Sequence, residues 1–183
     1  MAIVEFQQVL DFWFAAEHAD LLFAKNDHFD KKIRDQFLDT WEAAAQGDLW
    51  KWRDEPYGRL AEIIVLDQFS RNLWRGSDKS FTQDKMALTL AQELYHHSAY
   101  QDQFNEGEKA FAMMPFMHSE SKTVHKWALD IFQEIGNETN LHYEKLHKDI
   151  IDRFGRYPHR NEVLGRKTTD EEAEFLTHEN SSF

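Results

Sequence analysis

Residues 57–76, YGRLAEIIVLDQFSRNLWRG, decide the fold, because they have the apolar period of a helix. On a helical wheel, Leu60, Ile63 and Ile64 share one apolar face, and the opposite side is also partly apolar. A helix that is apolar on two sides lies inside a protein rather than on its surface. We therefore predict a central helix over about 57–71, enclosed by the rest of the chain.

Two ionisable residues interrupt the apolar face of this helix. Asp67 and Arg71 are four residues apart within it, so their side chains lie on the same side. A buried carboxylate needs a cationic partner, because an isolated charge is very costly in a medium of low dielectric constant. The spacing favours a structural ion pair, and the alternative is a polar site that Gln68, Asn72 and Arg75 extend.

The same helical period runs through most of the chain on both sides of this helix. It predicts helices near 3–16, 29–47, 82–96, 121–135 and 137–154, and a short last helix with a capping box at Thr169 and Glu172. Residues 98–118 lack a clear period apart from a short helix around EGEKAFAMM, and residues 177–183 are expected to fray. No stretch alternates as a strand does, and no linker divides the chain. The sequence thus predicts one all-α domain, 1–183, of stacked antiparallel helical hairpins.

Composition narrows the class of protein. The chain has 183 residues, of which 42% are apolar and 30% charged, as in a single globular domain. It has no cysteine, which excludes disulfides, thiolate metal sites and a cysteine nucleophile. Neither a secretory signal nor an apolar run of roughly 18 residues for a membrane span is visible. A net charge of −12 disfavours nucleic acid and anionic lipid as partners. The missing signal, span and cysteines favour a cytoplasmic protein, and the absence of a phosphate loop or dinucleotide fingerprint predicts no cofactor.

A basic island interrupts this acidic chain over residues 153–167. The island holds five cations and one anion, a local charge of +4, so the remainder carries −16. At its core is RFGRYPHRN, residues 153–161, where a glycine and a proline shape an irregular backbone that can turn several side chains towards one point. Planar arginine forks suit carboxylates and phosphates. The island predicts either a site for an anionic group or contacts to helix ends and to buried acids such as Asp67 or Glu120.

Further polar residues lie next to apolar positions elsewhere in the chain. His147 falls on the apolar face of the helix that leads into the basic island, where a lone histidine is most often a satisfied core residue. His118 and Glu120 follow the run FAMMPFM at a predicted helix start. The ten histidines show neither the H-E-x-x-H spacing nor another compact ligand set, so we predict no metal site.

Three blocks of the sequence together resemble one family. LDQFSRNLWRG (66–76), MPFMHSE (114–120) and HKDIIDRFGRYPHRNEVLGRKTTDEEAEFL (147–176) are similar to the bacterial domain-of-unknown-function family 924, as is Phe29–Asp30, with Ser70 where that family usually has proline. The resemblance implies a helical fold like that of tetratricopeptide-repeat proteins and implies no activity. The motif positions coincide with the polar positions above, which gives a predicted ligand-binding set: Asp67, Gln68, Arg71, Asn72, His118, Glu120, His147, Arg153, Arg156, His159, Arg160, Asn161 and Arg166.

Functions from different classes stay open at this level. We favour a binding module whose Arg/His/Asp pocket takes an anionic small molecule or a peptide carboxylate, because no nucleophile–base pair is apparent. The alternative is a metal-independent enzyme in which His147 or Glu120 is the general acid or base and arginines hold an anionic substrate. In a further alternative the polar network is purely structural. Convergence of the blocks would place Asp67 or Glu120 within hydrogen-bond reach of an arginine.

The two ends of this predicted network are expected to differ in burial. Asp67 lies on the most apolar face of the chain, so its loss would leave a buried cation unpaired at a cost of about 3–5 kcal/mol. Arg160 follows Pro158 in an irregular stretch and is expected to be partly exposed, so its loss would cost about 0–1 kcal/mol.

Overall fold

The computed structural model describes residues 2–182, and every regular element within this range is helical. The α-helices are α1 (Phe6–Trp13), α2 (Asp27–Gln46), α3 (Pro56–Ile64), α4 (Ser70–Leu73), α5 (Asp84–Tyr95), α6 (Ser98–Asp102), α7 (Glu106–Met117), α8 (Lys122–Ile135), α9 (Glu138–Phe154) and α10 (Asp170–Phe175). Short 3₁₀ turns lie at Ala16–Leu21, Trp50–Asp54, Asp78–Phe81 and Pro158–Arg160. None of the helices within residues 2–182 is both long and apolar enough to cross a membrane. One large apolar core joins α1 to α8, which confirms the prediction of a single all-α domain.

The predicted central helix is present, but its middle is irregular. α3 continues into α4 through a π-helical turn at Val65–Phe69, all five residues of which are buried. A π turn fits an extra residue into a helical turn, so the side chains beyond it are rotated relative to a regular helix. The helical wheel drawn from the sequence therefore applies only as far as Ile64.

Aromatic side chains enclose this central helix. Phe69, at the end of the π turn, packs against Trp13 of α1 with 5.7 Å between ring centroids and against Phe37 of α2 at 5.0 Å. α5 and α7 cover the remaining sides. Large rings bury more apolar surface than aliphatic side chains, which explains why an aromatic content of 14% suits a core of this size.

The segment 98–118, in which the sequence predicts only a short helix around EGEKAFAMM, forms α6 and the twelve-residue α7, which contains that predicted helix. α7 is buried from Ala110 to Met117. A helix enclosed on every side has no apolar stripe, so no period marks it in the sequence. Pro115 removes one backbone donor near the end of the helix, and α7 continues past it by two residues.

α7, α8 and α9 pack against one another in chain order through short connections, as antiparallel hairpins do. The tetratricopeptide-like arrangement stays a prediction. The expected fraying of 177–183 differs from what is seen over 177–182, where the chain forms turns. Ser181 is buried and donates a hydrogen bond to the carbonyl of Leu176 at 3.2 Å. Residue 183 lies outside the described residues.

Packing leaves no room for a side chain at Gly58. A Cβ there would lie 2.0 Å from the backbone carbonyl oxygen of Trp52. We expect Gly58→Ala to lower the free energy of unfolding by about 1–3 kcal/mol, the usual cost of overpacking. The control is Gly107→Ala in α7, where the nearest atom is Asn105 Oδ1 at 3.4 Å and alanine suits a helix. Urea titrations of both variants test this, and equal stabilities would be incompatible with the close approach.

Candidate functional site

A cavity of about 710 Å³ opens where the central helix, α7, α9 and the 3₁₀ turn after α9 meet. The size falls within the roughly 300–1,000 Å³ of small-molecule sites. Residues of the segment after the first 3₁₀ turn and of the C-terminal tail complete its wall. Several segments that are far apart in the sequence thus contribute to one concave surface.

The lining of this cavity differs in charge from the rest of the molecule. Its basic members are three arginines and three histidines: Arg71, Arg75, Arg160, His118, His147 and His159. Among the described lining residues none is aspartate or glutamate, although the chain contains 33 of them. Its apolar members are Leu22, Phe23, Ala24, Phe81, Met114 and Met117. The cavity therefore presents cations and an apolar wall.

Asp67 lies fully buried in the π turn, directly behind this lining. Its Oδ1 accepts a hydrogen bond from Nδ1 of His118 at 2.7 Å, and its Oδ2 accepts one from Nε2 of Gln68 at 2.6 Å. Nη1 of Arg71 lies 3.3 Å from Oδ1. Burial alone raises the pKa of Asp67, but Arg71, His118 and Gln68 outweigh it and lower the pKa from 3.8 to about 2. Asp67 is therefore ionised at neutral pH, and Nδ1 of His118 carries the proton between them.

Asp84, at the start of α5, accepts hydrogen bonds from two of the lining arginines. Arg71 donates to its two oxygens at 3.0 and 3.1 Å, and Nη1 of Arg160 donates at 3.2 Å. Nη2 of Arg160 also donates to the backbone carbonyl of His118 at 3.0 Å. Side chains from the three sequence blocks thus converge on one place, with Asp67 in contact with Arg71.

The partial exposure predicted for Arg160 is wrong. Its side chain is 7% exposed, and its guanidinium lies between the rings of Phe81 and Tyr157, 4.4 and 4.5 Å from their centroids. The 3₁₀ turn that begins at Pro158 directs the side chain back onto the core. Burial lowers the pKa of Arg160, and Asp84 opposes that change.

The other two lining histidines are neutral and weakly basic. Nδ1 of His147 donates to the carbonyl of Tyr143 at 2.8 Å, and burial lowers its pKa to about 3. Burial and Arg160 lower the pKa of His159 to about 4. A general base works best with a pKa near the working pH, so His147 is a poor candidate for that role. Within residues 2–182, no three or more His, Asp or Glu side chains are grouped to hold a metal ion.

Glu120 belongs to a separate network outside the cavity lining. Arg166 donates to its two oxygens at 2.7 and 3.0 Å, and the backbone N–H of Tyr157 donates at 2.7 Å. Burial alone raises the pKa of Glu120, but these donors outweigh it and the pKa is lowered. Arg166 also donates to Asn161 at 3.0 Å. These bonds tie the basic island to the chain between α7 and α8, so we assign Glu120 a structural role.

The rest of the basic island extends this second network. Arg156 donates to both oxygens of Glu172 at 2.6 and 2.8 Å, and Asn161 donates to the same carboxylate at 3.3 Å. The hydrogen bonds from Arg156 lower the pKa of Glu172 to about 2. Arg153 pairs with Glu171 on the surface. These residues anchor α10, and none of them lines the cavity.

The predicted site residues therefore divide into two groups. The cavity is lined by seven of them: Gln68, Arg71, Asn72, His118, His147, His159 and Arg160. Sequence reasoning missed Asp84 and Asp30, which hold the arginines from behind. Acidic residues are common in the first turn of a helix, where both lie, so their presence there is no signal. For Asp30 the only hint in the sequence was the family resemblance at Phe29–Asp30.

Comparisons with known proteins give matches over nearly the whole chain. The family model described as "Bacterial protein of unknown function (DUF924)" matches residues 9–180. A solved structure of a protein of unknown function from Agrobacterium tumefaciens is similar, with a TM-score of 0.88 and 36% sequence identity over 93% of this chain and 96% of that one. No curated protein matches the chain.

Proposed function

The chain belongs to the bacterial family DUF924, whose description names no activity, so we infer the function from the cavity and propose that the protein binds a small organic anion there. One observation carries the proposal: in a chain of net charge −12, the described lining contains three arginines and no carboxylate. Arginine forks recognise carboxylates and phosphates through paired, charge-assisted hydrogen bonds. An anion that enters the cavity can therefore pair with these arginines.

The lining arginines have donors left for a ligand. Three hydrogen bonds engage Arg71 and two engage Arg75, whereas a guanidinium carries five N–H groups. Within the described residues, two N–H groups of Arg71 and three of Arg75 are therefore uncommitted. Asp67, Asp84 and Asp30 hold the two guanidinium groups in place from behind. Donors that are oriented before binding lose little entropy when a ligand arrives.

The remainder of the lining indicates what the anion is attached to. A volume of about 710 Å³ exceeds the need of a single inorganic anion and suits a drug-sized molecule. Phe81, Met114 and Met117 supply apolar surface next to the arginines. Methionine side chains adapt to irregular shapes, which suits an organic body of variable outline. We propose a ligand with one anionic end and an apolar body.

The difference between the second network and the cavity arginines supports binding over a purely structural role. The network of Glu120, Arg166 and Glu172 lies outside the cavity and already ties the island to the core. Arg75, by contrast, is 35% exposed and lines the cavity. A cation placed there has little structural reason beyond its pair with Asp30.

Thermal unfolding tests the proposal with matched pairs of small molecules. We expect benzoate, hexanoate or phenylphosphate to raise the unfolding midpoint, because a ligand that prefers the folded state stabilises it. Benzamide, hexanamide and phenol, which lack the charge, should not do so at the same concentrations. Stabilisation by zinc or manganese alone, abolished by a chelator, would refute the anion site, as would equal effects of charged and uncharged partners.

Substitution of Arg75 locates the binding. We expect Arg75→Gln to weaken binding of the stabilising anion roughly ten- to a hundredfold, since a hydrogen bond to a charged group contributes about 1.5–3 kcal/mol. Arg153→Gln removes the same charge from an exposed pair with Glu171 outside the cavity and should leave the affinity unchanged. Isothermal titration calorimetry measures both variants. Equal affinities of the two would place the anion elsewhere.

A further inference from the structure

His118 stands between a buried carboxylate and the cavity. Its Nδ1 donates to Oδ1 of Asp67 at 2.7 Å, its side chain is 15% exposed, and it lines the cavity. Because Asp67 occupies the Nδ1 edge of the ring, the opposite edge with Nε2 is the one that a bound molecule can meet. Nδ1 carries the proton, so Nε2 carries a lone pair, and no described residue forms a hydrogen bond to it.

We propose that His118 is the general base of this site, oriented by Asp67, and that it removes a proton from an O–H or an acidified C–H of a small organic anion in the cavity. The lone pair of Nε2 forms the new N–H bond. The electron pair of the broken O–H or C–H bond stays on the ligand, and the lining arginines stabilise the added negative charge. The substrate class rests on the proposed anion site, whereas the reactivity of His118 does not.

Two other histidines with defined partners do not fit this role. His147 bonds through Nδ1 to a backbone carbonyl, which cannot stabilise an imidazolium as a carboxylate does. His125 does pair with a carboxylate, Glu144, at 2.7 Å. It is fully buried outside the cavity lining, however, and its Nε2 contacts the carbonyl of Ser119 at 2.8 Å.

The charges around His118 suit a base that is neutral before the reaction. The surrounding groups are Asp67 and Arg71 of the central helix, Asp84 of α5, His147 of α9 and Arg160 of the 3₁₀ turn. Burial and Arg71 lower the pKa of His118, and Asp67 opposes them. The lowered pKa favours the neutral ring at pH 7, with the proton on Nδ1 and none on Nε2, and Asp67 stabilises the imidazolium that forms when Nε2 accepts a proton.

Reaction with diethyl pyrocarbonate tests this role on the full-length protein. The reagent acylates unprotonated imidazole nitrogens, and mass spectra of peptides give the rate for each histidine. We expect His118 to react readily at pH 7 and the buried His125 to be unreactive. Asp67→Asn should slow the reaction at His118 by at least about tenfold, because its amide can donate to Nδ1 and move the ring proton to Nε2. Asp35→Asn, at an exposed pair with Lys31, should leave the rate unchanged.

The wild-type protein supplies a second readout that does not require the Asp67 variant to fold. Nitrogen NMR of the histidine rings, assigned with His118→Gln, identifies the tautomer at His118. A proton on Nδ1 with an unprotonated Nε2 supports the proposal, and a proton on Nε2 or an unreactive His118 overturns it. If no anion stabilises the protein while His118 reacts in an Asp67-dependent way, the anion site alone fails.

Discussion

Asp67→Ala should lower the free energy of unfolding by about 3–5 kcal/mol, the cost of breaking a buried ion pair from one side. The carboxylate is fully buried and binds three partners, Arg71, His118 and Gln68. Alanine removes the interaction with all three. Such a loss is a large part of the roughly 5–15 kcal/mol that stabilises a domain. Urea titration followed by tryptophan fluorescence measures it.

A surface pair provides the comparison for this variant. Asp35 pairs with Lys31 in α2, and both side chains are more than half exposed. Asp35→Ala should therefore cost only about 0–1 kcal/mol. If the two alanine variants unfold at the same urea concentration, Asp67 does not hold a buried pair.

The pH dependence of stability tests the same contribution of Asp67 in the wild-type protein. The pKa of Asp67 is lowered from 3.8 to about 2, so the unfolded chain binds its proton more readily than the folded one. The stabilisation is thus fully present above about pH 4 and is lost as the pH falls towards about 2. Urea titrations of Asp67→Asn and the wild type should therefore give free energies that approach each other across this range.

Arg160→Ala should cost about 2–4 kcal/mol, because hydrogen bonds to charged groups contribute about 1.5–3 kcal/mol and the buried stem adds packing. The loss is smaller than at Asp67 because Asp84 keeps Arg71 as a partner. Arg160→Lys retains the charge without the planar guanidinium and should recover only part of the lost stability. The measurement is urea titration of both variants.

An exposed arginine supplies the control for this second prediction. Arg153 pairs with Glu171, and the two side chains are 49% and 62% exposed. Arg153→Ala should change the free energy of unfolding by about 0–1 kcal/mol. A similarly small loss for Arg160→Ala would show that its side chain is exposed after all, as the sequence predicts.

Helices with one solvent-facing side could be predicted from the sequence. Gly47 follows α2 and Gly136 follows α8, both in the left-handed conformation that favours glycine, and each helix carries a visible apolar stripe. Of α7 only a short helix around EGEKAFAMM was predicted, because a helix that is buried from Ala110 to Met117 shows no apolar stripe over that part. The π turn at Val65–Phe69 was equally invisible, since it depends on how the core packs around it.

The candidate site was predictable only in part, for a related reason. Asp67 and Arg71 were identifiable because a charge on an apolar face needs a partner, although the spacing alone favoured a structural ion pair over a site. The partners in the basic island depend on the path of the chain in space: Arg166 bonds to Glu120, 46 residues away, while Arg160 turns into the core. One run of basic sequence therefore serves two different networks, and composition cannot separate them.

A crystal structure with 4-bromobenzoate tests the anion site most directly, because the anomalous signal of bromine locates the ligand independently of its shape. We expect the carboxylate within hydrogen-bond distance of Arg71 and Arg75, and the bromine against the apolar wall at Phe81 and Met114. A soak of Arg75→Gln at the same concentration should show lower occupancy. Bromine found only on the outer surface, with the cavity holding solvent alone, would contradict the proposed function.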